Sequence, residues 1–577
     1  MCSSSVRAHA LTFFAKGVWM QTSRRVPSLI GGIALFVGAF IVTSNVWARF
    51  RGPNRLLNQD LLIYLNSTAF ATALFTGFLL ILIANGLRRG KRRAWQITLA
   101  ILILNLISEF FRFRVHAIQI SLTIFLLLIL WFSRHQFQAK SDPSYRFRPI
   151  FLFSVTFTFF LAAGVILFYA RHSQNVLGQP TLSDVLLTVI AGFFWIQGPV
   201  ILTSDIAEKT IYLTLGVFGI FIILVPLWAF LRRVSSIPTS SDFEKREILS
   251  AAEKFDDSDS LTYFATRNDK SVIWTDNKHA GIAYRVQNGV MLASGDPFGE
   301  YSLWPEAITH FLAKAREYGW TPAVMGGSER GGKVWVQHAG LSAIEIGDEA
   351  IINLKSFTLE GHHMSNLRQT INKARRTGFR CATSIVKDLP ISESEELLTI
   401  AGKWRGDAIE RGFSMSMDRF LGEIDENCVV VRGYQGDELV GFLYFVPWGK
   451  VGYSLDRMQR APGNWPGLTE LMILTMVEFC SQKELSYLSL NFAAFRSIIE
   501  RAEKINAGPI LRTLRTLIKF FSGWFQVESL YRFNAKFQPE WNARYILYPS
   551  VSDFTSVVWA ALKAEKFIAG FGRRVSK

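Results

Sequence analysis

The sequence predicts an α-helical transmembrane bundle followed by an α+β soluble region made of two successive units. Three observations carry that prediction. Long apolar runs crowd the first 233 of 577 residues and thin out afterwards. From about residue 260 short β-like runs alternate with helical stretches, and the alternation goes round twice. The charge divides at the same place: residues 1–233 carry 22 Lys and Arg against 6 Asp and Glu, which is nearly all of the net +17.

Half of the residues are hydrophobic, enough for a membrane region and two ordinary soluble units. The expected organisation is a cytoplasmic N-terminal segment over 1–27, a transmembrane region over 28–233, a linker over 234–259, a first soluble unit over 260–390 and a second over 391–577. Apolar runs near 28–48, 63–87, 94–111, 115–132, 149–169, 184–203 and 210–231 are each close to the ~20 residues a helix needs to cross the hydrocarbon. The basic connectors at Arg88–Arg93 and Arg134–Arg148 belong on the cytoplasmic side. With that anchor, six crossings leave the C-terminal region in the cytosol, whereas seven leave it outside. The run 184–203 contains Gln197, Gly198 and Pro199, and reads as a re-entrant segment or a helix buried by its neighbours. Residues 1–27 lack an apolar signal-peptide core before a small-residue cleavage site, so the first run is expected to be retained. Glu109, Arg112, Arg114 and His116 fit a turn between helices, or a polar cavity for a lipid headgroup.

Beyond Arg233, "SSIPTSSDFEKRE" is a Ser/Pro linker entering a charged helix. Helix is predicted at 304–319, 392–411 and "LTELMILTMVEFCSQKE", and strand at "SVIWTD", "GIAYRVQNGVMLAS", "CVVVRGYQGDELVGFLYFVPWGKVGYSLD" and "YLSLNF". The element order resembles a duplicated acyltransferase-type fold. Four scattered cysteines, with no CxxC pair and no metal-ligand spacing, suit a reducing compartment. Residues 460–577 carry 16 cations against 9 acids, the electrostatic footprint of an anionic partner.

Several short stretches invite a chemical reading. "GGSERGGKV" nearly spells a phosphate loop, but Val334 stands where Ser or Thr would hold Mg²⁺ and "VWVQ" reads as a strand, so a turn between strands is expected. "SGDPFGE" reads as a turn, with Asp296 at a helix entry. "SNLRQTINKARRTGFRC" carries Arg368, Lys373, Arg375 and Arg376 with no acid, which favours polyanion contact over an ordinary solvated face. In "YSLDRMQR" an acid at a strand end beside Arg457 and Arg460 suits an α-ammonium group, or else a surface ion pair. "LYRFNAKFQPEWNARY" interleaves five aromatics with Arg532, Lys536 and Arg544, a pattern able to stack a base and hold a phosphate, though core packing accounts for single rings equally well. There is no GxSxG elbow, no HExxH and no acyl-CoA pyrophosphate loop, and the adjacent His362 and His363 read as exposed. No cofactor and no metal are expected.

Taken in order, "FTLEGHHMSNLRQTINKARRTGF", "WRGDAIERGFSM", "YSLDRMQR", "LSLNFAAFR" and "ESLYRFNAKFQPEWNARYILYP" closely resemble the catalytic domain of the bacterial phosphatidylglycerol lysyltransferases, the aminoacyl-phosphatidylglycerol synthases of the multiple peptide resistance factor type, over about 250–565. The short membrane region looks like the compact actinobacterial form. The resemblance implies two tandem GNAT-like folds that move an aminoacyl group, lysyl or alanyl, from aminoacyl-tRNA to a hydroxyl of phosphatidylglycerol. The site would face the cytosol at the bacterial cytoplasmic membrane, and the product would lower membrane negative charge and susceptibility to cationic peptides. The implied partners are aminoacyl-tRNA, phosphatidylglycerol, the lipid bilayer and further copies of the chain in a homo-oligomer. Some compact members carry a fused lysyl-tRNA synthetase; here charged tRNA is expected from a separate enzyme.

Within that resemblance Asp456 takes the α-ammonium, Arg460 and Lys536 stabilise an oxyanion or phosphate, and Glu410 or Asp456 acts as base unless the substrate's own amine does. Arg405, Ser454, Asn491, Arg532, Trp541 and Arg544 form the substrate-binding set, and Arg368, Lys373, Arg375 and Arg376 meet tRNA or phosphate. The family's DxxR pair is broken: Gln459 stands three residues after Asp456, and Arg460 follows it. An aminoacyl ester is already activated, so positioning, oxyanion stabilisation and proton removal suffice for transfer. The alternatives are transfer to another lipid or to a peptidoglycan precursor, and a lipid flippase with a soluble regulatory domain.

Overall fold

The computed structural model describes residues 26–44, 76–110 except 85 and 89, 117–137, 148–203 except 173–175 and 177, 205–231, 241–406 except 256 and 257, 412–494 and 527–566. The chain forms two compact units that meet in sequence at Arg233 and Val234.

The N-terminal unit is helical: α1 (Val26–Ser44), α2 (Thr76–Arg88), α3 (Arg92–Phe110), α4 (Ala117–Phe132), α5 (Arg148–His172), α6 (Leu182–Gly192) and α7 (Asp205–Leu231). Among the described residues two stretches, Val26–Ser44 and Phe151–Tyr169, are long and apolar enough to cross a bilayer. Helices α1 to α4 share a core that includes Ala34, Leu80, Leu102 and Leu126, and α5 to α7 share another around Phe168, Val189 and Leu215. Many large apolar side chains point outward instead, among them Phe36, Phe151, Phe159, Ile166 and Leu213, each more than half exposed. Such a surface is costly against water. The run 184–203 is not one helix. Capped by Thr181, α6 ends after 11 residues, ~16 Å of rise. The chain then folds back, with Gly198 against Thr188 and the Val200 N–H donating to Thr188 Oγ1.

The C-terminal unit is built on one mixed sheet. Its strands are β1 (Ser271–Trp274), β2 (Ala280–Gln287), β3 (Val290–Ser294), β4 (Phe298–Gly299), β5 (Thr321–Gly327), β6 (Ser342–Asn353), β7 (Phe379–Ile385), β8 (Val429–Gln435), β9 (Glu438–Trp448), β10 (Gly452–Arg460), β11 (Tyr487–Ala494) and β12 (Glu540–Tyr548). The helices are α8 (Asp242–Lys254), α9 (Trp304–Tyr318), α10 (Glu329–Ala339), α11 (Ser365–Arg376), α12 (Ile391–Arg405), α13 (Leu468–Gln482), α14 (Val527–Ala535) and α15 (Val551–Ala564). The spatial order is β1-β2-β3-β5-β12-β6-β11-β10-β9-β8-β7, with β4 on β2. Among the described residues only β3/β5 and β10/β11 pair in parallel; every other neighbour is antiparallel.

Each parallel pair encloses one helix, β3–α9–β5 and β10–α13–β11, so the same strand–helix–strand unit occurs twice. β12, from the end of the chain, lies between β5 and β6, so strands from both halves run in one sheet. The segment "GGSERGGKV" also departs from expectation. Its "VWVQ" is helical, within α10. Ser328 caps that helix, its Oγ accepting from the Gly331 N–H, and Gly340 ends it in the left-handed region at φ +62°. Caps at both ends outweigh the strand preference of two valines.

Arg544 of β12 is buried, 2% exposed, at the centre of this sheet. Nη1 and Nη2 each donate to Asp259 at 2.9 Å, Nε donates to Glu349 Oε2 of β6 at 2.9 Å, and Nη2 also meets Ser260 Oγ at 2.6 Å. Ser489 of β11 donates to the other Glu349 oxygen. Burial pulls the guanidinium pKa down, but the Asp259 and Glu349 carboxylates more than offset this and hold it above the usual arginine range. Removing one member strands a buried charge, which costs about 3–5 kcal/mol. Glu349→Ala and Arg544→Ala should therefore each lower the unfolding temperature of the soluble unit sharply in a thermal melt. Lys333→Ala, which breaks an exposed pair with Glu329, should leave it unchanged.

Candidate active site

The two parallel pairs differ where it matters. In the first half β3 and β5 stay in register over five residues, Val290–Ser294 against Thr321–Met325. In the second, β10 and β11 pair over three residues only, Gly452–Ser454 against Tyr487–Ser489, and then part. Both strands are irregular at that point. Asp456 is the extra residue of a bulge against β9, and β11 shifts register against β6 between Ser489 and Phe492. Asn491, at φ +66°, is an L-residue in the left-handed region, where backbone strain is held for a purpose. Its amide bridges the opening, donating to Leu455 O at 2.8 Å and to Met415 O at 2.7 Å.

The bulge turns Asp456 to the same side as Arg457. Both face the segment Gly412–Leu421, a strap that crosses this side of the sheet. Asp456 Oδ1 accepts from the Met417 N–H at 2.7 Å, and the Arg457 guanidinium lies over the Phe420 ring at 5.2 Å. Asp456 Oδ2 is buried and has no hydrogen-bond partner among the described residues. Burial pushes the carboxyl up to about 6, against the pull of the Met417 N–H, of Arg457, of the nearby Ser416 hydroxyl and of Arg267. A buried acceptor without a donor is costly in a native fold and marks a place where a ligand's donor fits. Beside it opens a cleft of about 200 Å³, between Leu398, Gly402 and Arg405 of α12, Asp418 and Phe420 of the strap, and Arg457.

The other anticipated residues fall into three groups. Asp456, Asn491 and Arg405 lie around this opening or the adjoining cleft, and Arg460 is exposed at the far end of β10. A second group lies on the face covered by α13: Lys536 pairs with Glu470 of α13 at 2.7 Å, Trp541 stacks on Tyr531 at 4.5 Å, and Arg532 is exposed on α14. Phe537 is core. Lys373, Arg375 and Arg376 line the exposed side of α11. The third group is structural. Arg544 sits in the buried ion cluster. Ser454 Oγ donates to Ser260 O at 2.8 Å, and Arg368 donates to the carbonyls of Leu359 and Gly361. Arg544 and Ser454 are withdrawn from solvent, and Arg368, half-buried, is engaged by carbonyls of its own neighbourhood. Glu410 falls outside the described residues.

In the first half the equivalent space is closed from within. The carboxylate of Asp296 accepts from the Ser328 N–H at 2.9 Å and from Ser328 Oγ at the start of α10, and a Cβ added at Gly331 would lie 2.0 Å from it. An internal carboxylate thus stands where an anion would meet this helix N-terminus. Burial and the Asp259 carboxylate push Asp296 up to about 6. Away from both sites, Asp276, Glu306 and His310 bring three possible metal ligands within 4.8 Å of one another at the surface. Sequence reading missed Arg267, which donates to Ser416 O and to Asp269, and Glu565, which holds the strap. Both lie some 150 residues from their strap partners, and no spacing signal links them.

The family described as phosphatidylglycerol lysyltransferase, C-terminal, matches residues 250–548, and the chain belongs to it. The chain is 32% identical over 566 residues to the lysylphosphatidylglycerol biosynthesis bifunctional protein of Nocardia farcinica, covering 95% of this chain and 49% of that one. It is 44% identical over 324 residues to the protein of the same name from Mycobacterium marinum, covering 56% and 29%. The chain thus spans about half or less of the length of the curated relatives it matches. Among solved structures, one of L-PGS from Bacillus licheniformis aligns at 19% identity and a TM-score of 0.49, over 57% of this chain and 98% of that one.

The Asp456 carboxyl titrates higher folded than unfolded, so its burial favours the fold only when it is protonated. That contribution is complete below about pH 4 and is lost as pH rises through about 6. Asp456→Asn cannot ionise. It should match wild type in thermal melts at pH 3.5 and exceed it at pH 8, by up to about 3 kcal/mol. An equal difference at both pH values would contradict a buried, strained carboxylate.

Proposed function

We propose that the chain transfers an aminoacyl group from aminoacyl-tRNA to a glycerol hydroxyl of phosphatidylglycerol at the cytosolic face of a bacterial membrane. The observation that carries this reading is the unpartnered Asp456 oxygen at the opening between β10 and β11, in a chain of this family. A carboxylate with one vacant buried acceptor suits the α-ammonium of an aminoacyl ester, and fixing the ammonium fixes the carbonyl next to it. Arg457 and Arg405 bring guanidinium charge to the adjoining cleft and suit a phosphate or a developing oxyanion. Arg457 takes over here from Arg460, which lies three residues further out along β10.

The exposed cations of α11, with Arg532, Lys536 and the stacked Tyr531–Trp541 pair, suit the phosphates and terminal bases of tRNA. These residues lie on the α13 face and Asp456 on the strap face, so the aminoacyl end of the tRNA would pass between β10 and β11 to reach Asp456, and the lipid would meet it from the strap side. Protons leave the attacking hydroxyl either to Asp456, with its raised pKa, or to the substrate's free amine. The outward-facing apolar side chains of the N-terminal unit support a bilayer setting, which brings the lipid to the site at high local concentration. The product carries an added ammonium and lowers the negative charge of the membrane surface.

The test is reconstitution of the full chain in phosphatidylglycerol vesicles with tRNA carrying a radiolabelled amino acid. Label should enter the lipid only when both substrates are present, and Asp456→Asn should cut the rate at least about 100-fold. Label in a lipid other than phosphatidylglycerol would favour the alternative acceptor. Lipid translocation without any labelled lipid would favour the flippase. Lys373→Ala/Arg375→Ala/Arg376→Ala should raise KM for charged tRNA and flatten its salt dependence, leaving kcat nearly unchanged.

A further inference from the structure

We infer that Glu565, 109 residues from Asp456 in the chain, is a positioning residue that sets the ionisation of the Asp456 carboxylate through the strap. This rests on the reading of Asp456 given above.

Glu565 directly follows α15 and is almost fully buried, 5% exposed. Its carboxylate accepts from the Phe413 N–H at 2.7 Å, from the Ser414 N–H at 3.2 Å and from Ser414 Oγ at 2.9 Å. The Gly412 N–H also meets its backbone carbonyl. Three donors on one carboxylate fix the start of the strap, which Gly412 enters at φ +125°. The next residues are tied down in turn. Asn491 donates to Met415 O, Arg267 to Ser416 O, and the Asn268 N–H to Asp418. Between them Met417 aims its N–H at Asp456 Oδ1. That bond favours the charged carboxylate and opposes the effect of burial. Asp456 therefore keeps its ionisation near neutrality only while the strap holds its register, and Glu565 holds one end of it.

The charged groups facing Asp456 are Arg457 on its own strand and Arg267 from the turn before β1. Around Arg267 stand Asp269, Asp418 and Glu565 itself, and the buried Lys270 lies against Phe413 of the strap, its ammonium 4.8 Å from the ring. Two mechanisms then predict opposite signs. If Glu565 acted only as a charge, neutralising it would remove a negative group, and Asp456 would ionise more readily. If it acts by holding the strap, its loss releases the Met417 N–H, and Asp456 ionises less readily.

The experiment measures kcat/KM against pH from 5 to 8 for the full chain in phosphatidylglycerol vesicles, with pre-charged tRNA, for wild type, Glu565→Gln and Glu565→Ala. The acid limb should move to higher pH, by about one unit in Glu565→Ala and less in Glu565→Gln, whose amide oxygen retains one acceptor. A fall in rate with an unmoved limb would mean ordinary destabilisation, and a limb moved to lower pH would mean a charge effect. Either overturns the inference. Should Glu565→Ala fail to fold, Glu565→Gln gives the same sign. Absence of labelled lipid with wild type would instead sink the transfer reading itself.

Discussion

The buried ion cluster around Arg544 is the constraint on which the C-terminal unit depends. One guanidinium from the last strand of the sheet is neutralised by Asp259, from the segment that enters the unit, and by Glu349, on the long strand β6. A buried guanidinium is tolerable only when its donors are matched, and here the matching groups come from stretches 195 and 285 residues away in sequence. The cluster therefore specifies where β12 goes. Between β5 and β6, its arginine finds two carboxylates and the hydroxyl of Ser260; elsewhere in the sheet the charge would be stranded. The insertion also makes the two halves one sheet, so the second half is held against a closed neighbour rather than on a flexible linker.

That arrangement explains why the two related units differ. In the first half, β12 completes the sheet, the parallel pair stays zipped, and Asp296 fills the helix N-terminus with an internal anion. In the second half the parallel pair opens after three residues, and the opening is kept by a bulge at Asp456, a strained Asn491 and a strap anchored from a distant helix. Each of these features costs stability locally. Together they leave a buried oxygen without a partner, an arrangement expected of a site and not of a packing core.

Much of this was legible in the sequence. The break at Arg233 follows from hydropathy and charge, and the strand and helix types from periodicity. The turn back after α6 follows from the Gln197–Gly198–Pro199 run. Asp456 was legible as an acid near the end of a buried strand. Sequence could not tell Arg544 from Arg532: both sit among aromatics in one stretch, and only the fold puts Arg544 on β12 against Glu349 and Arg532 on the exposed side of α14. The helix at Glu329–Ala339 was misread because two valines suggest a strand, whereas the caps at Ser328 and Gly340 decide. Glu565 and Arg267 carried no local signal, since their meaning lies in contacts across half of the soluble chain.

In the proposed transfer of an aminoacyl group to a lipid, the work left to the protein is positioning. A structure of the full chain bound to an amide-linked aminoacyl-adenosine, which mimics the tRNA end and cannot transfer, tests this most directly. The account predicts the α-ammonium within hydrogen-bond distance of Asp456 Oδ2, with the adenosine leading out between β10 and β11. An ammonium bound anywhere else, with Asp456 Oδ2 still sealed and empty, would contradict it.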